Sequence, residues 1–228
     1  MCVSPRSTAV FRTCPSFPTR SRKSRSLRID LPAGGWSRLL HSSVLAGACM
    51  SEPLPAHVSL SAPELSDAPA LFALINANRD ALRPWMPWEP LTRSESDSRA
   101  FLQSAAVSRQ AGTAYTWLVS RGGELAGVCD LHSVDASNRH AFVGYWLDRR
   151  QVGQGVMQAA LTQLLNEAFG PLGLHRVAID AAAANHRSCA VAQRLGFRFE
   201  GVLREYLLLQ GRYCDARQYS LLAHEWKQ

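Results

Sequence analysis

The chain has 228 residues, of which 46% are hydrophobic, and its formal net charge is +7. This length suits one ordinary domain with additional sequence. Residues 1–49 contain eight basic residues and one acidic residue, whereas residues 50–228 contain 17 of each. The net charge therefore gives no reason to expect a nucleic-acid or membrane partner for the part that can fold. No stretch approaches the 18 apolar residues that a membrane-spanning helix needs.

Residues 1–49 are rich in Ser, Arg and Pro and show no sustained helical or strand period. Such a segment cannot bury enough apolar surface to offset the entropy of ordering, so we expect it to be disordered. Three origins remain open: a start codon assigned too early, with Met50 as the natural start, an acid-poor targeting peptide, or a basic arm. The folded domain is expected in residues 50–228.

The cysteines are widely spaced and include no C-x-x-C pair. Three of the six lie in residues 1–49, and the others are Cys129, Cys189 and Cys214. This spacing favours reduced thiols in a cytoplasmic protein over a disulfide framework or a zinc site. We therefore expect no metal.

The first half of the domain begins with a strand and two helices. A short strand fits residues 57–61, and Ser66 is placed to cap a helix whose apolar residues recur at helical spacing. Ser94 followed by Asp97 resembles a capping box that opens a helix through about Gln110.

Three strand-like runs follow. Residues 115–120 and 124–131 flank an Arg-Gly-Gly turn, which predicts a hairpin. Residues 141–147 are nearly all apolar, so we expect this strand to be central and covered on both faces.

The second half alternates helices and strands. A helical period runs from Val156 to Ala168, a strand fits residues 175–181, and a short helix fits residues 188–195. Residues 205–222 predict a long hairpin about Gly211. The order of elements predicts an α+β domain with a mixed sheet.

Two tryptophans lie in the segment LRPWMPWEP, at residues 82–90. Its three prolines exclude a long helix. Trp85 and Trp88 either pack as a lid or form a wall of an acceptor site, and the sequence leaves both interpretations open.

The segment most informative about chemistry is residues 150–155, RQVGQG, between an apolar strand and an amphipathic helix. Glycines let the backbone approach a ligand closely, and the first turn of a helix offers unpaired N–H groups to an anion. A dinucleotide fingerprint is excluded because Gln158 stands where Gly or Ala is needed, and no Gly-Lys-Ser/Thr of a Walker loop is present. On these residues alone, the glycines could equally shape a tight turn.

The pattern Arg/Gln-x-x-Gly-x-Gly/Ala after a strand resembles the acetyl-CoA pyrophosphate loop of the GNAT acetyltransferases. Asn185-x-x-Ser188 followed by Leu-Gly-Phe at 195–197 resembles the second half of the same site. Residues 144–148, Glu200-Gly201 and residues 209–226 also match in order and spacing. The resemblance spans about residues 57–226. The segment at residues 82–90 and the acid-rich helix start after it resemble the RimL-type ribosomal-protein-serine N-acetyltransferases.

The resemblance implies a GNAT fold, with a mixed, mostly antiparallel sheet flanked by helices. The strands at 141–147 and 175–181 should splay apart to admit pantetheine, and a backbone N–H should polarise the acetyl carbonyl as in an oxyanion hole. Arg150 either neutralises phosphate or is a surface arginine. The residues implied to bind acetyl-CoA are Tyr145, Trp146, Leu147, Arg150, Val152, Gly153, Gln154, Gly155, Val156, Asn185 and Ser188.

The implied reaction is direct attack of a neutral amine on the thioester, without a covalent enzyme intermediate. Ser188 resembles the acid that protonates the leaving thiolate, and its alternative is a hydroxyl that caps the 188–195 helix. Asn185 should hydrogen-bond pantetheine, unless it only shapes a loop.

The residue that acts as general base in many relatives has no equivalent in this chain. Many relatives carry a glutamate two residues before the glycine of Gly-Tyr-Trp, and Phe142 stands there instead. The remaining candidates, or holders of a catalytic water, are Asp130, His132, Asp180 and Glu205. Asp180 is favoured because its strand borders the expected cleft.

Three functions remain in view. The first is acetylation of the N-terminal α-amine of a ribosomal protein, the second is acetylation of a small amine such as a polyamine, an amino acid or an antibiotic, and the third is acyl-CoA binding without turnover. The implied partners are acetyl-CoA, a protein N-terminus or a small amine, and a second copy of the chain in a homodimer.

Overall fold

The computed structural model describes residues 57–227, so the prediction of disorder for residues 1–49 lies outside it. The elements are β1 (Val58–Ser61), α1 (Ala68–Ala77), α2 (Arg79–Leu82), α3 (Glu95–Ala111), β2 (Tyr115–Arg121), β3 (Glu124–Asp135), β4 (His140–Leu147), α4 (Val156–Phe169), β5 (Arg176–Ala182), α5 (His186–Arg194), β6 (Arg198–Leu209) and β7 (Arg212–Leu222). Within this part of the chain, no helix is long and apolar enough to cross a membrane.

The helix starts show one correct and one wrong prediction. At α3, the Asp97 carboxylate accepts from the Ser94 N–H at 2.9 Å, which completes the predicted capping box. Ser66 does not cap α1, because the chain enters that helix through a 3₁₀ turn at residues 65–67. Asp67 is the residue that precedes α1.

Within residues 57–227, seven strands form one sheet in the order β1-β2-β3-β4-β5-β7-β6. Only β4 and β5 pair in parallel, so the sheet is mixed and mostly antiparallel, as predicted. β4 is the fourth of the seven strands in this order, which confirms the prediction that it is central. Val143 belongs to the core beneath α4 on one face, and Trp146 belongs to the core beneath α1 and α3 on the other. The last hairpin is longer than predicted, because β6 begins at Arg198.

The sheet opens between its two parallel strands. The ladder joins His140–Phe142 to Arg176–Ala178 and then stops, although β4 continues to Leu147 and β5 to Ala182. The backbone of β4 beyond Phe142 is paired on its other side with β3, as far as Leu147. One edge of this stretch is therefore free to bind a ligand within the sheet.

Candidate active site

The loop from β4 to α4 exposes its backbone. Gly153 and Gly155 have φ angles of 81° and 74°, in the left-handed region that favours glycine. A Cβ at either position would meet no atom of residues 57–227 within 4 Å, so this side of the loop faces open space. The first intrahelical bond of α4 goes from Ala159 N–H to the Gly155 carbonyl. The Val152 N–H donates to Arg149 O at 3.4 Å, whereas the amides of residues 153–158 have no backbone partner within residues 57–227 and remain available to an anion.

Asp148 fixes the start of this loop. Its side chain is only 2% exposed, and its carboxylate accepts from the Arg150 N–H at 3.0 Å and from Arg150 Nη2 at 2.6 Å. Burial would raise the pKa of Asp148, but the hydrogen bonds and charge of Arg150 outweigh burial and lower it. The Asp148 N–H also donates to Ala126 O at 2.7 Å, which ties the loop to β3.

Two further side chains hold the loop from other elements. Buried Asn78, after α1, accepts from the Arg149 N–H at 2.9 Å. Arg121, at the end of β2, donates to Gln151 Oε1 at 2.6 Å and also to Gln154. These bonds give the loop a defined shape without using the amides that face open space.

Tyr145 and Ser188 meet across the gap between β4 and α5. Their hydroxyl oxygens are 2.8 Å apart, and Tyr145 also lies 3.1 Å from the Ser188 carbonyl, to which it donates. Burial raises the pKa of Tyr145 to about 12, so its phenol stays protonated at neutral pH. Asn185 accepts from the Ser188 N–H at 3.1 Å and is thus the cap of α5. Ser188 lies in the first turn and does not cap the helix.

Two cavities of about 490 Å³ each meet at this pair. We call the first the loop-side cavity, because the β4–α4 loop and α5 line it. We call the second the hairpin-side cavity, because β6 lines it together with β3, β4 and β5. The residues that line both are Trp85, Met86, Tyr145, Trp146, Asn185 and Ser188. A ligand from each cavity could therefore meet beside the Ser188 hydroxyl.

Comparison with known proteins places the chain in a family. The Acetyltransferase (GNAT) domain matches residues 57–198, which is more than half of the chain. The chain belongs to the GNAT acetyltransferase family. It is accordingly an acyltransferase whose co-substrate is acetyl-CoA.

The match to individual relatives covers most of this chain and most of each relative. The Bacillus subtilis (strain 168) protein YdaF is 35% identical over 178 residues, which cover 75% of this chain and 94% of YdaF. The Escherichia coli (strain K12) ribosomal-protein-serine acetyltransferase is 32% identical over 150 residues, which cover 66% of this chain and 84% of that protein. The solved structure of RimL, a ribosomal L7/L12 alpha-N-protein acetyltransferase in complex with coenzyme A, has a TM-score of 0.72 at 29% identity, covering 76% of this chain and 98% of that one.

Most of the predicted acetyl-CoA residues of this GNAT domain lie together. Those that line the loop-side cavity are Tyr145, Trp146, Leu147, Val152, Gly153, Gly155, Val156, Asn185 and Ser188. Arg150 and Gln154 do not line it, because Arg150 is bound to Asp148 and Gln154 is bound to Arg121.

The predicted acceptor residues lie on the other side. Trp88 and Asp180 line the hairpin-side cavity, and Trp85 lines both cavities. Of the candidate bases, Asp130 and His132 join Asp180 there, whereas Glu205 lines neither cavity. Burial raises the pKa of Asp180, although hydrogen bonds from Gln218 and Tyr206 oppose the rise.

The loop-side cavity also contains three cations that the sequence patterns did not predict: Arg149, Arg187 and Arg194. Arg187 and Arg194 are seven residues apart on α5 and so lie on one helix face, which is a signal the sequence does contain. Among residues 57–227, no group of three or more His, Cys, Asp or Glu side chains is arranged to hold a metal.

Proposed function

We propose that this GNAT enzyme acetylates the N-terminal α-amine of a ribosomal protein. The observation that carries the proposal is the similarity, over most of both chains, to a ribosomal-protein-serine acetyltransferase and to RimL. The domain that does so is residues 50–228. We further propose a cytoplasmic location and no nucleic-acid or membrane partner. A homodimer stays a prediction, which sedimentation of the full chain would test.

Acetyl-CoA is proposed to enter the loop-side cavity. Of the amides from Val152 to Val156 that the sequence implies for the pyrophosphate, that of Val152 already donates to Arg149 O, so the amides from Gly153 to Val156 would hold it at the start of α4. Arg187 and Arg194 from α5 supply positive charge to the same cavity, and Arg149 adds a third cation. Arg150 contributes indirectly, by shaping the loop through Asp148.

The thioester is proposed to lie beside residues 145–147, where β4 has lost β5 as its neighbour. A backbone N–H of this stretch would polarise the acetyl carbonyl. The amine nitrogen forms the C–N bond, and the C–S bond breaks with its electron pair on sulfur. Ser188 donates its hydroxyl proton to the thiolate and regains one from the nitrogen through solvent. Tyr145, at 2.8 Å, orients the Ser188 hydroxyl.

The acceptor is proposed to approach through the hairpin-side cavity. Trp85 and Trp88 form one wall, and Asp180 provides negative charge that attracts an ammonium. An α-amine has a pKa of about 8, against about 10.4 for lysine, so an N-terminus loses its proton more readily near neutral pH. This difference favours a terminal amine over a lysine side chain.

The test is CoA-thiol release by the full chain with acetyl-CoA, comparing a Ser-starting ribosomal peptide with a panel of small amines. We expect release with the peptide, and mass spectrometry should place the acetyl group on its α-amine. Release only with small amines would move the acceptor to polyamines, amino acids or antibiotics. Silence with every amine, despite acetyl-CoA binding in calorimetry, would favour acyl-CoA binding without turnover.

A further inference from the structure

The hairpin-side cavity gathers ionisable groups from four strands. Asp130 and His132 come from β3, Tyr145 from β4, Asp180 from β5 and Tyr206 from β6. An acceptor amine arrives mainly as an ammonium, which has no lone pair and cannot attack a thioester. A group in this cavity that removes this proton would therefore increase the fraction of acceptor that can form the C–N bond.

His132 is the group whose geometry suits that task. Its Nδ1 lies 2.8 Å from Asp130 Oδ1, so the ring donates its Nδ1 proton to the carboxylate and keeps the lone pair on Nε2. The ring also stacks on Phe142, its cross-strand partner, with centroids 6.0 Å apart and planes 23° apart. The side chain is 48% exposed and lines the hairpin-side cavity, so an acceptor can reach the ring while Asp130 and Phe142 hold it.

Gly144 allows Asp130 to occupy its position. The two residues are cross-strand partners, and a Cβ at Gly144 would lie 2.9 Å from Asp130 Oδ1. Any larger residue would push the carboxylate aside and release the His132 ring. Gly144 on β4 thus leaves room for the pair of Asp130 and His132 on β3.

Asp180 is less suited to accept the proton. Its Oδ1 accepts from Gln218 Nε2 at 3.1 Å, and Tyr206 also donates to its carboxylate. Burial raises the pKa of Asp180, but these donors engage its carboxylate. Nε2 of His132 makes no hydrogen bond within residues 57–227, and an imidazole is suited to accept a proton near neutral pH. Asp180 and Asp130 are instead the negative charges that face His132 and draw the ammonium towards it.

We propose that His132 is the general base that deprotonates the acceptor ammonium, with Asp130 as its positioning residue. The proposal rests on the acetyl transfer proposed above. His132 Nε2 takes one proton from the ammonium, and the neutral amine attacks the acetyl carbon. His132 then returns its proton to solvent.

The experiment compares His132→Gln with His140→Gln in the full chain, using whichever amine the wild type acetylates. His140 is the matched control, because its ring contacts the same Phe142 ring but does not line the cavity. For His132→Gln we expect kcat/KM at pH 7 to fall by roughly a hundredfold or more, with unchanged acetyl-CoA affinity in calorimetry. We expect wild-type values for His140→Gln.

The pH profile separates proton transfer from a structural effect. In the wild type, kcat/KM should approach its plateau at a lower pH than in His132→Gln, because the enzyme itself removes the proton from the ammonium. In His132→Gln it should keep rising towards about pH 8, because only amine that is already neutral reacts. Asp130→Asn should give an intermediate loss. A weakly basic aniline, which is neutral at pH 7, should restore much of the lost rate if it is an acceptor of the wild type.

The contrary results are distinct. If the wild type turns over an amine and His132→Gln keeps both its rate and its pH profile, His132 is not the base. If Asp180→Asn, and not His132→Gln, lowers kcat/KM at pH 7 and makes it keep rising towards about pH 8, the base is Asp180. If the wild type acetylates a small amine but no peptide, the proposed ribosomal acceptor is wrong. The role of His132 is then measured with that amine as the acceptor.

Discussion

The two cavities that meet at Ser188 share six lining residues but depend on different kinds of chemical group. The loop-side cavity depends on backbone: two glycines with positive φ, the amides at the start of α4 and a strand edge without a partner. The hairpin-side cavity depends on side chains from β3, β4, β5, β6 and residues 85–88. A cofactor shared by a whole family can be bound by backbone, whereas an acceptor that differs between members must be selected by side chains.

The largest expected effect comes from filling the backbone site. We expect Gly155→Val to weaken acetyl-CoA binding more than roughly a hundredfold in calorimetry, because a branched side chain at φ 74° strains the loop and blocks approach to the amides. Gly173→Val is the control, since Gly173 also has a positive φ, 59°, and open space but does not line the cavity. Unchanged affinity in Gly155→Val would refute the pyrophosphate loop.

The next effect is at the junction of the two cavities. We expect Ser188→Ala to lower kcat by roughly a hundredfold through loss of the proton donor, and to change the acetyl-CoA dissociation constant little. Tyr145→Phe keeps the hydroxyl of Ser188 but removes its partner at 2.8 Å, so its loss in kcat should be smaller. If Ser188→Ala weakens affinity and leaves kcat intact, Ser188 is a binding residue only.

The sequence predicts the loop-side cavity better than the side-chain contacts of the hairpin-side cavity. The glycine loop, Asn185 and Ser188 are close in sequence to the elements that position them, so their patterns indicate the loop-side cavity. The 2.8 Å contact of Arg79 with Glu89, or of His132 with Asp130, depends on side-chain rotamers that no periodicity encodes. The prediction that Ser66 caps α1 is wrong for a related reason, because a 3₁₀ turn at residues 65–67 moves the start of the helix.

A smaller effect tests the wall of the hairpin-side cavity. Glu89 is fully buried and accepts from Arg79 Nη1 at 2.8 Å and Arg83 Nε at 3.1 Å, which fixes the segment that carries Trp85 and Trp88. We expect Glu89→Gln to cost about 1–2 kcal/mol in urea unfolding and to raise the acceptor KM several-fold.

The control for Glu89 is Glu95→Gln. Glu95 pairs with Arg99 at 3.6 Å on the exposed surface of α3, so its loss should cost less than about 0.5 kcal/mol and leave KM unchanged. An acetyl-CoA affinity that falls more than the acceptor affinity in Glu89→Gln would contradict the assignment of this wall to the acceptor.

The smallest effect concerns Asp148, which is buried like Glu89 but serves the other cavity. Because the folded pKa of Asp148 is lowered, its carboxylate stabilises the fold above about pH 4, and this contribution is lost as the pH falls through the folded pKa. We expect Asp148→Asn to cost about 1 kcal/mol in urea unfolding at pH 7 and less at pH 3, because below about pH 4 the unfolded chain takes up the Asp148 proton before the folded chain does and the stabilisation declines. Asp80→Asn, at an exposed position of α2, should change stability by less than about 0.5 kcal/mol at either pH. If Asp148→Asn costs the same free energy at both pH values, packing around Asp148 holds the loop, and the ion pair of its carboxylate with Arg150 does not.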